Sequence, residues 1–151
     1  MPDFKALLST NMDDVKRPPA LPQGTYFGTI VKHEYKESPW EDKKTGEHEA
    51  QVVFSVRVDE SGPGVDPDEA HAAGVPGKIL PRAFSIERER QWAVKQFLEG
   101  LGIKTSGRLL DSLVPETLNA AVMFEVTQRF DKKDPDRGPF NDIKAMRSRG
   151  A

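Results

Sequence analysis

The stretch Leu21–Glu37, LPQGTYFGTIVKHEYKE, decides the fold. Pro22 and Gly24 punctuate its start, and the thirteen residues that follow hold no proline and a single glycine, Gly28. Thr25, Tyr26, Phe27, Thr29, Ile30, Val31 and Tyr35 are β-branched or aromatic, which is strand composition. Counting by twos puts Tyr26, Gly28 and Ile30 on one face and Phe27, Val31, His33 and Tyr35 on the other. Neither face is cleanly polar, and thirteen residues is long for a strand in a globular sheet. One strongly curved strand, bent near Gly28 and serving two parts of a closed or nearly closed sheet, accounts for both features.

Outward from this strand, the loop SPWEDKKTGEH (38–48) holds Trp40 beside Lys36, Lys43 and Lys44. It is longer than a chain reversal needs. Glu49–Val58 alternates Val52, Phe54, Val56 and Val58 against Gln51, Val53, Ser55 and Arg57, a half-buried strand. Residues 59–76 are acidic and rich in Pro and Gly, and Asp66-Pro67-Asp68-Glu69 can start one helical turn. The acid spacing there does not match a calcium loop, so a surface excursion is expected. Gly77–Phe84 reads as a third strand, with Pro81 favouring an edge or bulge. Ser85 is placed to cap a helix from about Ile86 to Glu99, whose stripe is Ile86, Ala93, Val94, Phe97, Leu98 and Leu101. Trp92 falls nearly opposite that stripe and is expected to be exposed, with Val94 and Phe97 buried. The connector 103–119 should bring Leu109, Leu110, Leu113 and Leu118 towards the core. Ala120–Gln128 is strand four, with Val122, Phe124 and Val126 inward, and Phe140–Arg147 is the last strand. Tyr26, Ile30, Phe54, Phe97 and Phe124 are expected in the core.

Five strands with one helix between the third and fourth is the element order of a mainly β oligonucleotide-binding (OB) barrel. A ferredoxin-like sandwich would need a helix between the first two strands, where only a turn is found. The expected organisation is an arm and linker over 1–20, an OB domain over 21–147 and a short basic tail over 148–151. The arm carries Phe4, Leu7 and Leu8, too brief for an independent helix; it is expected to lie partly ordered on the domain, or else to order on binding or dock a neighbouring subunit, which leaves a homo-oligomer open.

At 151 residues and 36% hydrophobic content, one domain can bury a core without staples, and it has none, because there is no cysteine. Disulfides, thiolate nucleophiles and cysteine metal sites are thereby excluded. No apolar run approaches membrane-spanning length, and the first residues carry no long apolar core or basic leader, so the expected location is the cytoplasm. Net charge is -2, yet residues 59–70 hold five acids and no base, and from Ala120 onward seven Lys/Arg stand against five Asp/Glu. A local basic surface on a near-neutral protein is compatible with that distribution.

Catalysis finds little support. His33, His48 and His71 show no metal-ligand spacing, and neither a phosphate loop nor a nucleophile elbow is present. Asp131, Asp134 and Asp136 share their loop with Lys132, Lys133 and Arg137 and are read as self-neutralised. No catalytic residue, metal or cofactor is expected. Single-stranded nucleic acid asks instead for aromatics that stack on bases beside cations that meet phosphates. Trp40 with Lys36, Lys43 and Lys44 fits that need in the first long loop. Phe130 with Arg129, Lys132, Lys133 and Arg137 fits it in the second. Phe27, Tyr35, Arg57, Arg82 and Phe84 are candidates for the strand surface between them, although Phe27 and Phe84 have a competing place in the core.

The pieces LPQGTYFGTIVKHEYKE, QVVFSVRV, GKIL with Phe84 following, QWAVKQFLEGLGI, AVMFEVTQR and FNDIKAMR, in this order over about residues 21–147, resemble a family of small phage-encoded proteins, long a domain of unknown function. That family is similar to single-stranded DNA-binding proteins with an OB fold. In it an Asn precedes the last strand, which Asn141 matches. The resemblance implies a sequence-independent single-stranded DNA-binding protein of a phage or prophage, acting in DNA replication or recombination in the cytoplasm of its host, with replication or recombination proteins as further partners. The chain departs from the bacterial proteins in ending RSRGA rather than in an acidic partner-recruiting tail. The competing reading, favoured by Trp92, the acidic excursion and the low net charge, is a non-catalytic OB-fold protein–protein adaptor or inhibitor.

Overall fold

In the computed structural model, which describes residues 3–14, 19–41, 46–130, 132–133 and 139–149, the deciding stretch is a single strand, β1 (Gly24–Glu41). It sits at the centre of a five-stranded antiparallel sheet of order β3-β2-β1-β4-β5, with β2 (His48–Ser61), β3 (Ile79–Ser85), β4 (Ala121–Arg129) and β5 (Phe140–Ser148). The first half of β1, through Thr29, pairs with β4 on one side and β2 on the other, while its second half pairs with β2 alone. The edge strands β3 and β5 approach each other to Cα separations within 8 Å, but no ladder joins them among the described residues.

The bend in β1 has two causes. At Gly28 a Cβ would collide with the carbonyl oxygen of Arg57 and come within 3.0 Å of the Phe124 ring, so only glycine lets β2 and the core ring approach this closely. The register also slips between Phe27 and Gly28 and again between Ile30 and Lys32. The second slip reverses the alternation. Before it, Tyr26, Gly28 and Ile30 face the core; after it, His33 lies opposite Phe54 and Tyr35 opposite Val52. The straight count by twos that groups His33 and Tyr35 with Phe27 therefore fails at Val31, the extra residue.

Inside the curve, Val52, Phe54, Val56 and Val58 of β2, Leu80 and Phe84 of β3, and Val122, Phe124 and Val126 of β4 form the core with Tyr26 and Ile30. Pro81 is tolerated because β3 is an edge. Between β3 and β4 the helix α3 (Gln91–Gly100) buries Val94, Phe97 and Leu98 against the sheet. Phe97 stacks on Phe84 with ring centres 4.9 Å apart and tilts against Phe54 at 5.1 Å. Trp92 is 63% exposed, as the helical stripe requires. The helix begins about five residues later than its sequence pattern indicates. Residues 86–90 instead tie the chain to the start of β2: Ile86 N–H donates to the Ala50 carbonyl, Ala50 N–H to Glu87, and Arg90 pairs with Glu49 at 2.6 Å. Ser85 Oγ accepts from Glu87 N–H within that turn rather than capping the helix.

The acidic excursion closes with α2 (Pro67–Ala72), which Asp66 caps by accepting from Asp68 N–H, and it inserts Val65, Ala70, Ala73 and Val75 into the core. In the connector, the short α4 (Leu110–Leu113) and the 3-10 turn Val114–Thr117 bury Leu113, Val114 and Thr117. Leu109 and Leu118 are exposed, contrary to the expectation from sequence, because so short a helix and turn present only one side to the core. In the arm, α1 (Phe4–Leu8) buries none of its residues. Asn141 fixes the start of the domain: its side chain accepts from Leu21 N–H at 2.8 Å and donates to the Leu21 carbonyl at 3.0 Å. Among the described residues no helix is long and apolar enough to cross a membrane.

Candidate nucleic-acid interface

The outer face of the sheet is set by the same registers that set the core. One row across four strands reads Glu60, Phe27, Met123, Arg147, and the neighbouring row reads Ile79, Arg57, Thr29, Ala121. Towards the first hairpin, the slip at Ile30/Lys32 carries Lys32, Glu34 and Lys36 onto this face, opposite Ser55, Val53 and Gln51. Towards the second hairpin, Glu125 lies opposite Lys144, Thr127 opposite Asp142, and Arg129 opposite Phe140. Cations thus run in a line over the outer face: Lys36, Lys32, Arg57, Arg149, Arg147, Lys144 and Arg129. This line joins the roots of the two long hairpin loops.

Most of these cations have a carboxylate beside them. Lys32 and Lys36 reach Glu34 at 3.9 and 3.8 Å, Arg57 holds Asp59 at 2.7 Å, Arg149 holds Glu60 at 2.7 Å, and Arg129 holds Asp142 at 3.0 Å. Burial acts to raise the Asp59 carboxyl. Hydrogen bonds from Thr29 and Arg57, and the charges of Arg57 and Arg149, outweigh it and hold the group below its ordinary value. The Arg149 guanidinium lies over the Phe27 ring, 4.3 Å from its centre, and Arg129 lies 5.3 Å from the centre of Phe140.

Of the residues singled out from sequence, Lys36, Arg57 and Arg129 lie on this outer face. Phe130 (56% exposed), Lys132 and Lys133 are exposed just beyond β4. Three move elsewhere. Phe84 is a core residue, 7% exposed and enclosed by Phe54 and Phe97. Arg82 lies opposite Phe54 on the inner face, half-buried, with its guanidinium 4.3 Å over the Phe84 ring and donating to the Ala83 carbonyl. Tyr35 is half exposed on the inner side, and its phenol is pushed up by burial and by Asp111 of α4. All three follow from strand pairing: β3 faces β2 so that Leu80, Arg82 and Phe84 point inward, and the bulge in β1 turns Tyr35 the same way. Lys43, Lys44 and Arg137, with the Trp40 side chain and Asp131, Asp134 and Asp136, lie outside the described residues.

Arg147, Arg149, Lys144 and Lys32 do not stand out in the sequence as parts of one surface. Counting by twos from Ile143 would point Arg147 inward. The register slip opposite Met123/Glu125, with Ala145 at a φ of 50°, inserts one residue, so that Met146 packs on the core and Arg147 emerges outside. An alanine gives no warning of a left-handed backbone. Among the described residues no group of His, Asp and Glu is arranged to hold a metal ion.

Comparison with protein-family models yields no match, and comparison with curated proteins yields no significant one.

Proposed function

We propose that the chain is a non-catalytic, sequence-independent single-stranded DNA-binding protein with an OB-type sheet, of the kind phages and prophages use in replication or recombination in the host cytoplasm. The observation that carries the reading is the line of outer-face cations with an aromatic ring, Phe27, in its middle, running between the two hairpins. Strand order supports it: a central, bulged first strand paired on both sides, edge strands that approach each other, and a helix between β3 and β4 agree with the OB plan. In that fold the two hairpin loops flank the oligonucleotide. Phosphates would meet the cations in exchange for their carboxylate partners, and bases would stack on exposed rings.

The test is fluorescence anisotropy of a labelled oligo-dT strand and of a hairpin duplex across about 50 to 200 mM NaCl. The single strand should bind better, with affinity falling as salt rises. Replacing Arg57 and Arg147 by Ala should flatten the salt slope by about 0.7 for each phosphate that is no longer neutralised. Equal affinity for duplex and single strand, or no binding to either at low salt, would remove the reading.

One observation favours a second reading, a protein–protein adaptor. A surface cavity of about 300 Å³ opens between α3 and the connector, with Val94, Leu98, Leu110 and Leu113 in its lining and exposed Trp92 at its edge. Aromatic side chains of this kind are enriched where proteins bind proteins. A chain that leaves oligo-dT free at low salt would leave this reading ahead.

A further inference from the structure

On the reading of the chain as a single-stranded DNA-binding protein, we infer that Phe27 is a base-stacking position whose ring is covered in the free protein by Arg149, and that Glu60 controls how readily it opens. Phe27 is only partly buried and lies on the outer face, flanked by Glu60 on β2 and Met123 on β4. The Arg149 guanidinium sits 4.3 Å from the ring centre and is held there from the side by Glu60 at 2.7 Å. Its backbone is fixed, because Arg149 N–H donates to the Ala121 carbonyl at 3.0 Å, so the side chain can swing without the strand moving. Both partners are well solvated, with side chains 44% and 53% exposed. A small cavity of about 110 Å³, lined by Thr25, Met123, Ala145 and Arg147, opens alongside the same row.

These interactions are weak singly. An exposed ion pair and an exposed cation–π pair each contribute little in water, whereas a stacked base contributes more than either. A phosphodiester also offers the planar guanidinium fork two oxygens, as Glu60 does. When a strand arrives, Arg149 therefore exchanges Glu60 for a phosphate, and the base takes the ring face that the guanidinium leaves. Arg147, next along the row, is placed to meet the neighbouring phosphate. Glu60 thus competes with the nucleic acid for Arg149, which gives the site a signature that a merely basic patch lacks.

The experiment is oligo-dT anisotropy on the full chain at one salt concentration, for wild type, Phe27→Ala, Phe27→Leu, Glu60→Gln, Glu125→Gln, Arg149→Ala and the double variants of Arg149→Ala with each Gln change. Phe27→Ala should weaken binding about tenfold, within the range for loss of one stacked base. Phe27→Leu, which keeps apolar volume and so protects the fold, should weaken it similarly. Glu60→Gln should tighten binding by more than Glu125→Gln, which removes the same charge from the same face without touching Arg149. In the Arg149→Ala background that excess should vanish, since a coupled pair gives a non-additive cycle. Equal effects of the two Gln changes in both backgrounds, or full affinity in Phe27→Leu, would overturn the inference while leaving DNA binding standing. A wild-type chain that binds no oligo-dT would overturn the function and this site together.

Discussion

Two phenylalanines in this sheet each carry an arginine over the ring at the same distance, 4.3 Å, and their surroundings could hardly differ more. Phe84 is buried on the inner face between Phe54 and Phe97, and Arg82 above it is half-buried, with desolvation lowering its pKa. Among the described residues no carboxylate pairs with Arg82; it donates to the Ala83 carbonyl and covers the edge of the aromatic cluster. Phe27 is on the outer face, its arginine is well solvated, and a carboxylate holds that arginine in place. The inner pair is fixed by packing that nothing in solution can replace. The outer pair is held by two solvated interactions, which the proposed reading has a phosphate and a base replace. The same arginine-to-ring distance therefore belongs to a packed cluster on one side of the sheet and to a solvated, carboxylate-held contact on the other.

The largest consequence is in stability. Phe84→Ala should cost about 3–5 kcal/mol, the usual range for emptying a core phenylalanine site. Phe27→Ala should cost less, about 1–2 kcal/mol, because part of its ring is already in water. Urea unfolding of the two variants, read at equal slope, measures the difference. Similar losses for both would mean that the outer ring is as much a part of the core as the inner one.

Protons sharpen the same contrast on the inner side. Tyr26 is fully buried, its hydroxyl donating to the Pro22 carbonyl at 2.6 Å, and burial, with Glu69 adding to it, pushes the phenol up to about 12. The unfolded chain releases this proton near pH 10, the folded chain two units later. Stability from Tyr26 is thus complete below pH 10 and lost as pH climbs to about 12, up to roughly 2–3 kcal/mol at about 1.4 kcal/mol per unit. At neutral pH Tyr26→Phe should cost about 1 kcal/mol for the missing hydrogen bond. The wild-type and Tyr26→Phe stability curves should then converge and cross on the alkaline side, with Tyr35 titrating alike in both. Parallel curves would show that the phenol reaches water in the folded state.

How far the sequence reveals each face depends on where the strands slip. Clean alternation makes β2 and β4 readable, so Val52, Phe54, Val56, Val58, Val122, Phe124 and Val126 fall in the core as their spacing demands. The long first strand and its bend at Gly28 are readable because a glycine in strand composition marks a close approach. The slips at Val31 and Ala145 carry no such mark, and each reverses inside and outside for everything beyond it. That is why Tyr35 reads as outward from sequence and Arg147 does not stand out at all. Arg82 and Phe84 mislead for another reason: in a short edge strand whose two faces are both partly apolar, only the pairing with Phe54 and Val52 decides which side points in. The late start of α3 is likewise tertiary, since Glu87 and Arg90 are drawn to β2 by Ala50 and Glu49.

The smallest effect tests the outer face directly. Asp59 sits beside the Arg149 site, accepting from Thr29 Oγ1 at 2.6 Å and Arg57 Nε at 2.7 Å, and it feels the charge of Arg149. Burial alone would raise its pKa, but these bonds and charges win and leave it below the ordinary 3.8. A carboxyl depressed in the folded state adds stability that is present above the unfolded value and lost as pH falls through the folded one. The loss from Asp59 therefore sets in as pH falls through the ordinary value near 3.8 and continues until the folded group is protonated too. Asp59→Asn should flatten the acid limb of a urea-derived stability curve between about pH 2 and 5, with a small loss at neutral pH from the weakened pairing with Arg57. Phe84→Ala should lower the whole curve and leave the shape of that limb intact, because the inner pair includes no carboxylate. If Asp59→Asn left the limb unchanged, the outer cluster would be too loosely held in solution to bias Asp59, and the Arg149–Glu60 clamp, whose carboxylate is more exposed than Asp59, would lose its footing with it.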